Sequence, residues 1–474
     1  LTYFFMLISL ICLYEGLVQD KKGLLIIAGV FLGANLLVRF PNVIEVGFIL
    51  AVWIYGFLKR KKISKVVQET LWCMLGYIIS VGVLMGIIIA MYGMNSYVDM
   101  IASLFSMTDS ASSYKPIEMV MAIVRTYLQS MKWPVGMAIY VLAASLMFNV
   151  MKGRLIWPKR LVTILGIIVL FRWYYGQGMF NIKYHSYESM FWWASTFLII
   201  AIIILLINLF DLQVSSEYKL LCVILLLIIG ITPIGSNNNI YPNMNNLFMV
   251  APVSIYSMYN LIVKIKYKEW AFPLQAMLTM VVLALLVQSI GFGVTFVFRG
   301  ARNGQKRDTR IVDNDILKGM YTNAEKAQAI EGLSLYWDER IENLSPEENT
   351  ETKLLLFGHI PGVSYFLNAP CAIPHSWPDL ASYDYGTFET DMDELKGRIA
   401  EKGETKPVVI VSYGVNSVLT NDEDAMEYYA NNIEAGEESL EQMLDSEKLV
   451  YLGKFLQEFD YKQTFSNNRF VVYE

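Results

Sequence analysis

The sequence predicts a polytopic α-helical membrane protein of about ten transmembrane helices that ends in a C-terminal extracytoplasmic α/β domain. Of the 474 residues, 55% are apolar and only 17% are charged, and the mean hydropathy is +0.41. This composition is too apolar for an ordinary soluble enzyme. Apolar runs of roughly 20 residues, the length that crosses a hydrocarbon core of about 30 Å, recur through the first two thirds of the chain.

The predicted membrane domain, residues 1–298, contains ten apolar segments between short polar breaks. They lie near residues 1–18, 23–38, 43–58, 70–92, 134–150, 161–175, 191–210, 220–234, 247–263 and 271–298. Only Arg39-Phe40-Pro41-Asn42 separates the second from the third, which predicts a tight helical hairpin. The chain opens at Leu1 inside an apolar run and shows no signal-peptide pattern. We therefore expect a fragment that lacks its N-terminal spans.

The orientation of the spans follows from lysine and arginine, which are retained on the cytoplasmic side. Alternate loops carry most of these residues, at 21–22, 59–65, 152–160, 219 and 264–268. The first span then runs from outside to inside, and the tenth delivers the C-terminal domain to the outer surface. The basic run from Arg299 to Arg310 opposes this assignment, but five loops that agree outweigh one segment.

The C-terminal domain, residues 309–474, has the mixed charge and the Gly/Pro breaks of a globular α/β unit. Two β-rich runs, 353–357 and 408–411, are typical of buried parallel strands, and helical patterns surround them. The last residues, 462–473, predict a hairpin around Asn467. The turn from Gly358 to Gly362 is either a ligand-binding turn at the end of a strand or a structural turn.

The sequence lacks the residue patterns of several common kinds of functional or structural site. Cys12, Cys73 and Cys222 lie in apolar runs and leave Cys371 alone in the C-terminal domain, so no disulfide is expected there. The three histidines and four cysteines form no cluster with ligand spacing, and we predict no structural metal. No nucleotide-binding glycine motif, metalloprotease motif or nucleophile elbow occurs, and no basic footprint for nucleic acid is present.

Candidate site residues gather on the predicted outer face. Arg39 lies at the membrane boundary, where it either binds a lipid phosphate with its planar fork or extends to ordinary headgroups. Two polar loops share that face, and their amides and tyrosines suit sugar hydroxyls or an ordinary aromatic belt. The loop candidates are Tyr184, His185, Tyr187, Glu188, Ser236, Asn237, Asn238 and Asn239. The stretch 95–132 predicts a pair of interfacial amphipathic helices.

The chain resembles the bacterial polytopic C-type (GT-C) glycosyltransferases, a group that includes protein mannosyltransferases and the aminoarabinose transferases of lipid A. The resemblance rests on the small-residue span Gly29 to Pro41, which ends in a basic residue and a proline, and on the outer loop Pro233 to Asn237. Within the C-terminal domain, Leu317 to Thr322 and Ser376 to Leu380 are similar to tails of related bacterial proteins. The likeness covers nearly the whole chain through loose motifs.

The resemblance implies an enzyme of the bacterial plasma membrane that transfers a sugar from a polyprenyl-phosphate donor to an envelope glycan, lipid or protein acceptor. Arg39 would then hold the donor phosphate. The catalytic aspartate of the family, with any divalent cation, would belong to an outer loop ahead of Leu1. The alternative is a non-catalytic, transport or polymerase-like protein of envelope polysaccharide assembly. A transporter would be expected to show inverted repeats, and the sequence shows none.

Overall fold

A computed structural model describes residues 1–95, 98, 116–151, 155–180, 188–234, 239–265, 269–293, 307–345, 352–380, 383–420 and 447–474. The chain divides into two compact units, Leu1–Gly291 and Phe292–Glu474. The predicted boundary lies slightly later, between residues 298 and 309.

The first unit is helical throughout its described residues. Its α-helices are α1 Thr2–Val18, α2 Lys22–Val38, α3 Leu50–Leu58, α4 Ile63–Tyr92, α5 Pro116–Ser130, α6 Lys132–Val150, α7 Ile156–Gly176, α8 Glu188–Phe210, α9 Ser216–Ile231, α10 Tyr241–Asn245, α11 Leu247–Ile265 and α12 Phe272–Phe292. A 3-10 helix, Phe40–Ile49, precedes α3, and another, Glu269–Ala271, precedes α12.

Six of the described helical segments are long and apolar enough to cross a membrane, and α1 and α2 are shorter apolar helices. The protein is therefore mostly helical and membrane-associated. Helices suit this environment because they satisfy their backbone polar groups internally. Each of the ten predicted spans overlaps a helix of this unit, but α7 and α9, which the predicted spans 161–175 and 220–234 overlap, are not among these candidates. The number of helices that cross the bilayer stays a prediction. In the stretch 95–132, the helix α5 leads almost directly into α6, and most of residues 96–115 lie outside the described part.

Small residues allow the closest helix packing in this unit, between α2 and α4. A Cβ atom added to Gly29 would lie 1.8 Å from the carbonyl oxygen of Cys73, and one added to Gly76 would lie 2.0 Å from that of Ile26. The two backbones therefore touch where a side chain would keep them apart, as small residues permit between membrane helices. This pair holds α2, and with it the corner at Arg39, against a long helix.

Ion pairs join the loops that the charge pattern assigns to one side. They connect Asp20 with Lys65, Lys61 with Glu69, Asp211 with Lys264, Lys159 with Glu269, and Lys59 with Glu217. Each pair connects segments at the basic ends of the helices. The fold thus brings the predicted cytoplasmic loops together, although the side of the membrane stays a prediction.

The second unit is a four-stranded sheet with helices on both faces. Its strands are β3 Leu354–Phe357, β4 Val408–Ser412, β5 Gln463–Ser466 and β6 Phe470–Tyr473, in the order β3-β4-β6-β5. A two-residue ladder, β1 Thr309–Arg310 with β2 Tyr321–Thr322, precedes them. The helices are α13 Ala324–Glu342, α14 Gly362–Phe366, α15 Tyr385–Lys402, α16 Tyr413–Thr420 and α17 Glu447–Glu458.

The strand residues alternate between two apolar cores. Leu355 and Val409 belong to the core under α15 and α17, whereas Leu354 and Val408 belong to the core under α13. Strands β3 and β4 are parallel, and β4, β6 and β5 are antiparallel neighbours. The predicted strands and the closing hairpin are present. Strands β3, β4 and β6 are buried on both faces, while β5 at the edge of the sheet is largely exposed. The burial of β3 and β4 explains the continuous apolar runs that predicted them.

Candidate functional site

Arg39 stands at a sharp corner of the chain. Helix α2 ends at Val38, Arg39 takes an extended backbone conformation, and the 3-10 helix begins at Phe40 with a proline in its first turn. Proline fits there because its missing N–H would have no partner in a first turn. The backbone N–H of Asn42 donates to the carbonyl oxygen of Arg39 at 2.9 Å, and the Arg39 side chain is exposed.

A buried polar network fixes this corner from the inside. The Asn35 amide nitrogen donates to the Glu45 carboxyl oxygen at 2.6 Å, and the Asn42 amide nitrogen donates to the Asn35 carbonyl oxygen at 2.9 Å. Asn35 is fully buried, and Glu45 is 5% exposed. The three residues connect the end of α2 to the 3-10 helix, so they hold the turn in which Arg39 lies. An acidic residue in an apolar segment is a functional candidate, but Glu45 is not among the site residues predicted from the sequence.

The acidic side chain and the basic side chain of this corner do not pair with each other. Glu45 is bonded to an amide, and no ion pair or hydrogen bond of the Arg39 guanidinium occurs within the part of the chain that the structure describes. A planar guanidinium with five donors matches a phosphate through two parallel hydrogen bonds. The corner therefore presents a cation that can take an anionic ligand.

Most of the other predicted site residues fall outside the described part. These are Tyr184, His185, Tyr187, Ser236, Asn237 and Asn238. Glu188 begins helix α8, and Asn239 lies in a turn with a left-handed φ of 52° just ahead of α10. The positive φ agrees with the tolerance of asparagine for that conformation. Their gathering around Arg39 stays a prediction.

A second polar cluster flanks the loop 235–239 and was missed in the sequence. The Thr232 hydroxyl donates to the Asn243 side-chain oxygen at 2.7 Å, and the Asn243 amide nitrogen donates to the Tyr127 hydroxyl at 3.1 Å. Asn246 is 1% exposed, and both of its amide atoms lack a hydrogen-bond partner among the described residues. A buried amide of this kind is a place where water or a polar ligand group can bond.

The 3-10 helix that carries Asn42 and Glu45 packs near the second polar cluster. The position of a Cβ atom on Gly47 would lie 3.1 Å from the Ile231 side chain, the last residue of α9. Thr232 follows directly, and the loop 235–239 comes next. The segment after Arg39 therefore packs on the helix that leads into the predicted polar loop.

At the sheet edge of the second unit, the structure favours a structural turn over a ligand site. The Asp379 carboxyl oxygen accepts the backbone N–H groups of Gly358 at 3.1 Å and of His359 at 2.8 Å. The same oxygen lies 3.6 Å from the His359 ring nitrogen, and both side chains are largely buried. Gly358 has a φ of +99°, and an added Cβ would lie 1.9 Å from the Ser412 hydroxyl. One Asp379 oxygen is therefore bonded within the turn, and the other is buried without a hydrogen-bond partner among the described residues.

Among the described residues, no group of three or more His, Cys, Asp or Glu side chains could hold a metal ion. No protein-family model, curated protein or solved structure matches this chain. The functional conclusion therefore depends on the geometry of the Arg39 corner and on the resemblance described above.

Proposed function

We propose that this membrane protein transfers a sugar from a polyprenyl-phosphate donor to an envelope acceptor, at the membrane boundary where Arg39 lies. The observation that carries the proposal is an exposed arginine on a corner that a buried Asn35–Glu45–Asn42 network holds in place. A phosphate site needs a fixed cation, because each rotamer that must be ordered on binding lowers the affinity. The corner supplies a fixed backbone for that cation.

In this reaction, Arg39 would stabilise the charge on the leaving phosphate. Transfer breaks the bond between the sugar C1 and the phosphate oxygen, and it forms a bond between C1 and the acceptor oxygen, whose proton passes to water. The leaving polyprenyl phosphate gains negative charge, and a bidentate guanidinium stabilises that charge. Glu45 acts as a positioning residue, because it is buried and accepts the Asn35 amide.

The neighbouring polar cluster is suited to the uncharged part of the donor. Asn246 offers an amide without a partner among the described residues, and its backbone N–H donates to the carbonyl oxygen of Asn243 at 3.2 Å. The Asn243 side chain in turn donates to the Tyr127 hydroxyl. Sugar hydroxyls pair with such amides and phenols. On this proposal, the loop 235–239 and the loop 181–187 complete the acceptor and sugar side of the site.

The second candidate function is movement of the lipid-linked sugar without chemistry. The same Arg39 corner would serve it, since binding a lipid phosphate is common to both functions. The two differ in the fate of the sugar. A transferase leaves free polyprenyl phosphate, whereas a transporter leaves the donor intact on the opposite leaflet.

The test uses the protein in liposomes with polyprenyl-phosphate donors that carry radiolabelled hexoses, pentoses or aminosugars. We expect label to leave the donor in the presence of an envelope extract and an equal amount of polyprenyl phosphate to appear. An intact donor that becomes accessible on the other leaflet would support the transport function. If no donor of the panel loses its label or moves to the other leaflet, both candidate functions are contradicted.

A further inference from the structure

The first unit contains a long apolar groove between its helices. It has a volume of about 650 Å³ and lies against α6, α8 and α12. Ser145 and Asn149 are the polar exceptions in a lining of aliphatic residues, methionine, proline and tryptophan. A groove this apolar between membrane-associated helices faces hydrocarbon, so a hydrocarbon chain is the available occupant.

The groove follows one face of α6. Pro134, Met137, Val141, Ser145 and Asn149 line it at intervals of three or four residues, which places them on a single face of the helix. From Pro134 to Asn149 the helix rises by about 22 Å, roughly three quarters of a hydrocarbon core of about 30 Å. The groove is therefore long and narrow, as an extended acyl chain requires.

Two cations lie at the Asn149 end of the groove. The Lys159 ammonium is 5.2 Å from the centre of the Phe148 ring, and the Arg160 guanidinium is 5.2 Å from that of Phe272. Phe148 directly precedes Asn149, and Phe272 follows two residues after Trp270, which lines the groove. The end of the groove is thus positively charged.

Lys159 and Arg160 differ in the partners that they already have within the protein. Lys159 is buried, donates to the Met151 carbonyl oxygen at 2.7 Å, and lies 3.6 Å from the Glu269 carboxylate. The Arg160 Nε atom is buried and has no hydrogen-bond partner among the described residues. Arg160 is therefore the cation with a donor to spare, in a planar guanidinium that stacks on the Trp157 and Phe272 rings.

Two tryptophans mark the level of this end. Trp157 is 73% exposed and Trp270 is 43% exposed, and the Arg160 guanidinium lies 5.4 Å from the Trp157 ring. Exposed tryptophans are enriched at the headgroup level of membrane proteins, where their rings lie between water and hydrocarbon. The cations at this end therefore lie where a lipid phosphate would be found.

We propose that the groove binds one acyl chain of an anionic phospholipid and that Arg160 binds its phosphate. Charge complementarity selects an anionic lipid, because Lys159 and Arg160 outnumber Glu269 at this end of the groove. Basic pockets between helices on the cytoplasmic side bind anionic headgroups in this way. The proposal needs only the membrane character of the unit and is independent of sugar transfer.

The headgroup is tested by native mass spectrometry of the protein released from membranes with equal amounts of phosphatidylglycerol and phosphatidylcholine. We expect the parent to retain phosphatidylglycerol preferentially and Arg160→Gln to lower the retained fraction about tenfold, since a charge-assisted hydrogen bond is lost. Arg160→Lys should retain an intermediate fraction. Arg172→Gln is the matched control, an exposed arginine of the same helix that stacks on Tyr175, and it should behave as the parent.

Binding of the acyl chain is tested by a substitution that fills the groove. Ala138 lines it, and Ala138→Trp should expel the lipid while Arg160 stays in place. Inorganic phosphate added to the parent should not displace phosphatidylglycerol, because the acyl chain contributes to binding. Equal retention by parent and Arg160→Gln, equal retention of both lipids, or full retention by Ala138→Trp with displacement by phosphate would each overturn the proposal.

Discussion

Two corners of this protein contain a basic residue and a largely buried acidic one, and the acidic residue is bonded differently in each. At the first corner, Glu45 bonds the Asn35 amide and the Arg39 side chain is exposed. At the second, Asp379 accepts two backbone N–H groups and lies 3.6 Å from the His359 ring nitrogen. The acidic group accepts from an uncharged side chain at the first corner and from backbone N–H groups at the second, where its basic neighbour also lies within ion-pair distance.

The difference separates a ligand site from a structural turn. A basic side chain that its own carboxylate holds contributes to the fold, and a ligand would have to displace that carboxylate. A basic side chain whose acidic neighbour is bonded elsewhere keeps its donors for a ligand. By this criterion Arg39 is the candidate and His359 is not, although the sequence offers both as residues near a turn.

The largest effect is expected at the second corner, for Gly358→Ala. The new Cβ would meet the Ser412 hydroxyl at 1.9 Å on a backbone with φ of +99°, and strain plus overpacking costs about 2–6 kcal/mol. Hydrogen exchange of the β3 and β4 amides in the intact protein should speed up accordingly. Gly397→Ala is the control, because nothing lies within 4 Å of its Cβ position in helix α15. Unchanged exchange in Gly358→Ala would show that the corner is not rigid.

A smaller effect is expected for Asp379. Asp379→Ala leaves the N–H groups of Gly358 and His359 without their acceptor. A buried donor without a hydrogen-bond partner lowers the free energy of unfolding by about 1–3 kcal/mol. Asp379→Asn keeps an oxygen acceptor and should lose less. The exchange rates of these two amides report the difference. If Asp379→Asn loses as much as Asp379→Ala, the charge contact with His359 dominates and the second corner is an ion pair.

The smallest effect is expected at the first corner, for Glu45→Gln. The new amide oxygen still accepts from Asn35, and its nitrogen can donate to the Asn35 side-chain oxygen, which has no partner among the described residues. The free energy of unfolding in detergent should stay within about 1 kcal/mol of the parent, whereas Glu45→Leu should cost about 1–3 kcal/mol. Equal losses for both variants would mean that the negative charge holds the corner, and the comparison would fail.

The sequence predicted most of the fold because the fold depends on composition and periodicity. Apolar runs of span length overlap ten of the helices α1 to α12, all except α5 and α10, and the runs at 353–357 and 408–411 are the parallel strands. The boundaries were less accurate: the predicted third span began at residue 43, but the 3-10 helix begins at Phe40. A helix boundary depends on turn geometry that a hydropathy pattern does not contain.

The site was predicted only in part. Arg39 was found because a cation at the end of an apolar run is visible in the sequence. Its supporting network was not, because the Asn35–Glu45 bond depends on the sharp turn between α2 and the 3-10 helix. Asn246 was missed for the same reason, since its burial follows from packing. A rule that flags each polar residue within an apolar run would have found Glu45.

The most direct measurement of the central claim is sugar release from polyprenyl-phosphate donors by Arg39 variants in liposomes. Arg39→Ala should lower the rate about tenfold or more, because a charge-assisted bidentate contact is worth about 1.5–3 kcal/mol. Arg39→Lys should restore only part of the rate, since an ammonium lacks the planar fork. Arg125→Ala, at an exposed arginine of α5, should match the parent. Parental rates in both Arg39 variants would reduce Arg39 to a headgroup anchor and contradict the account.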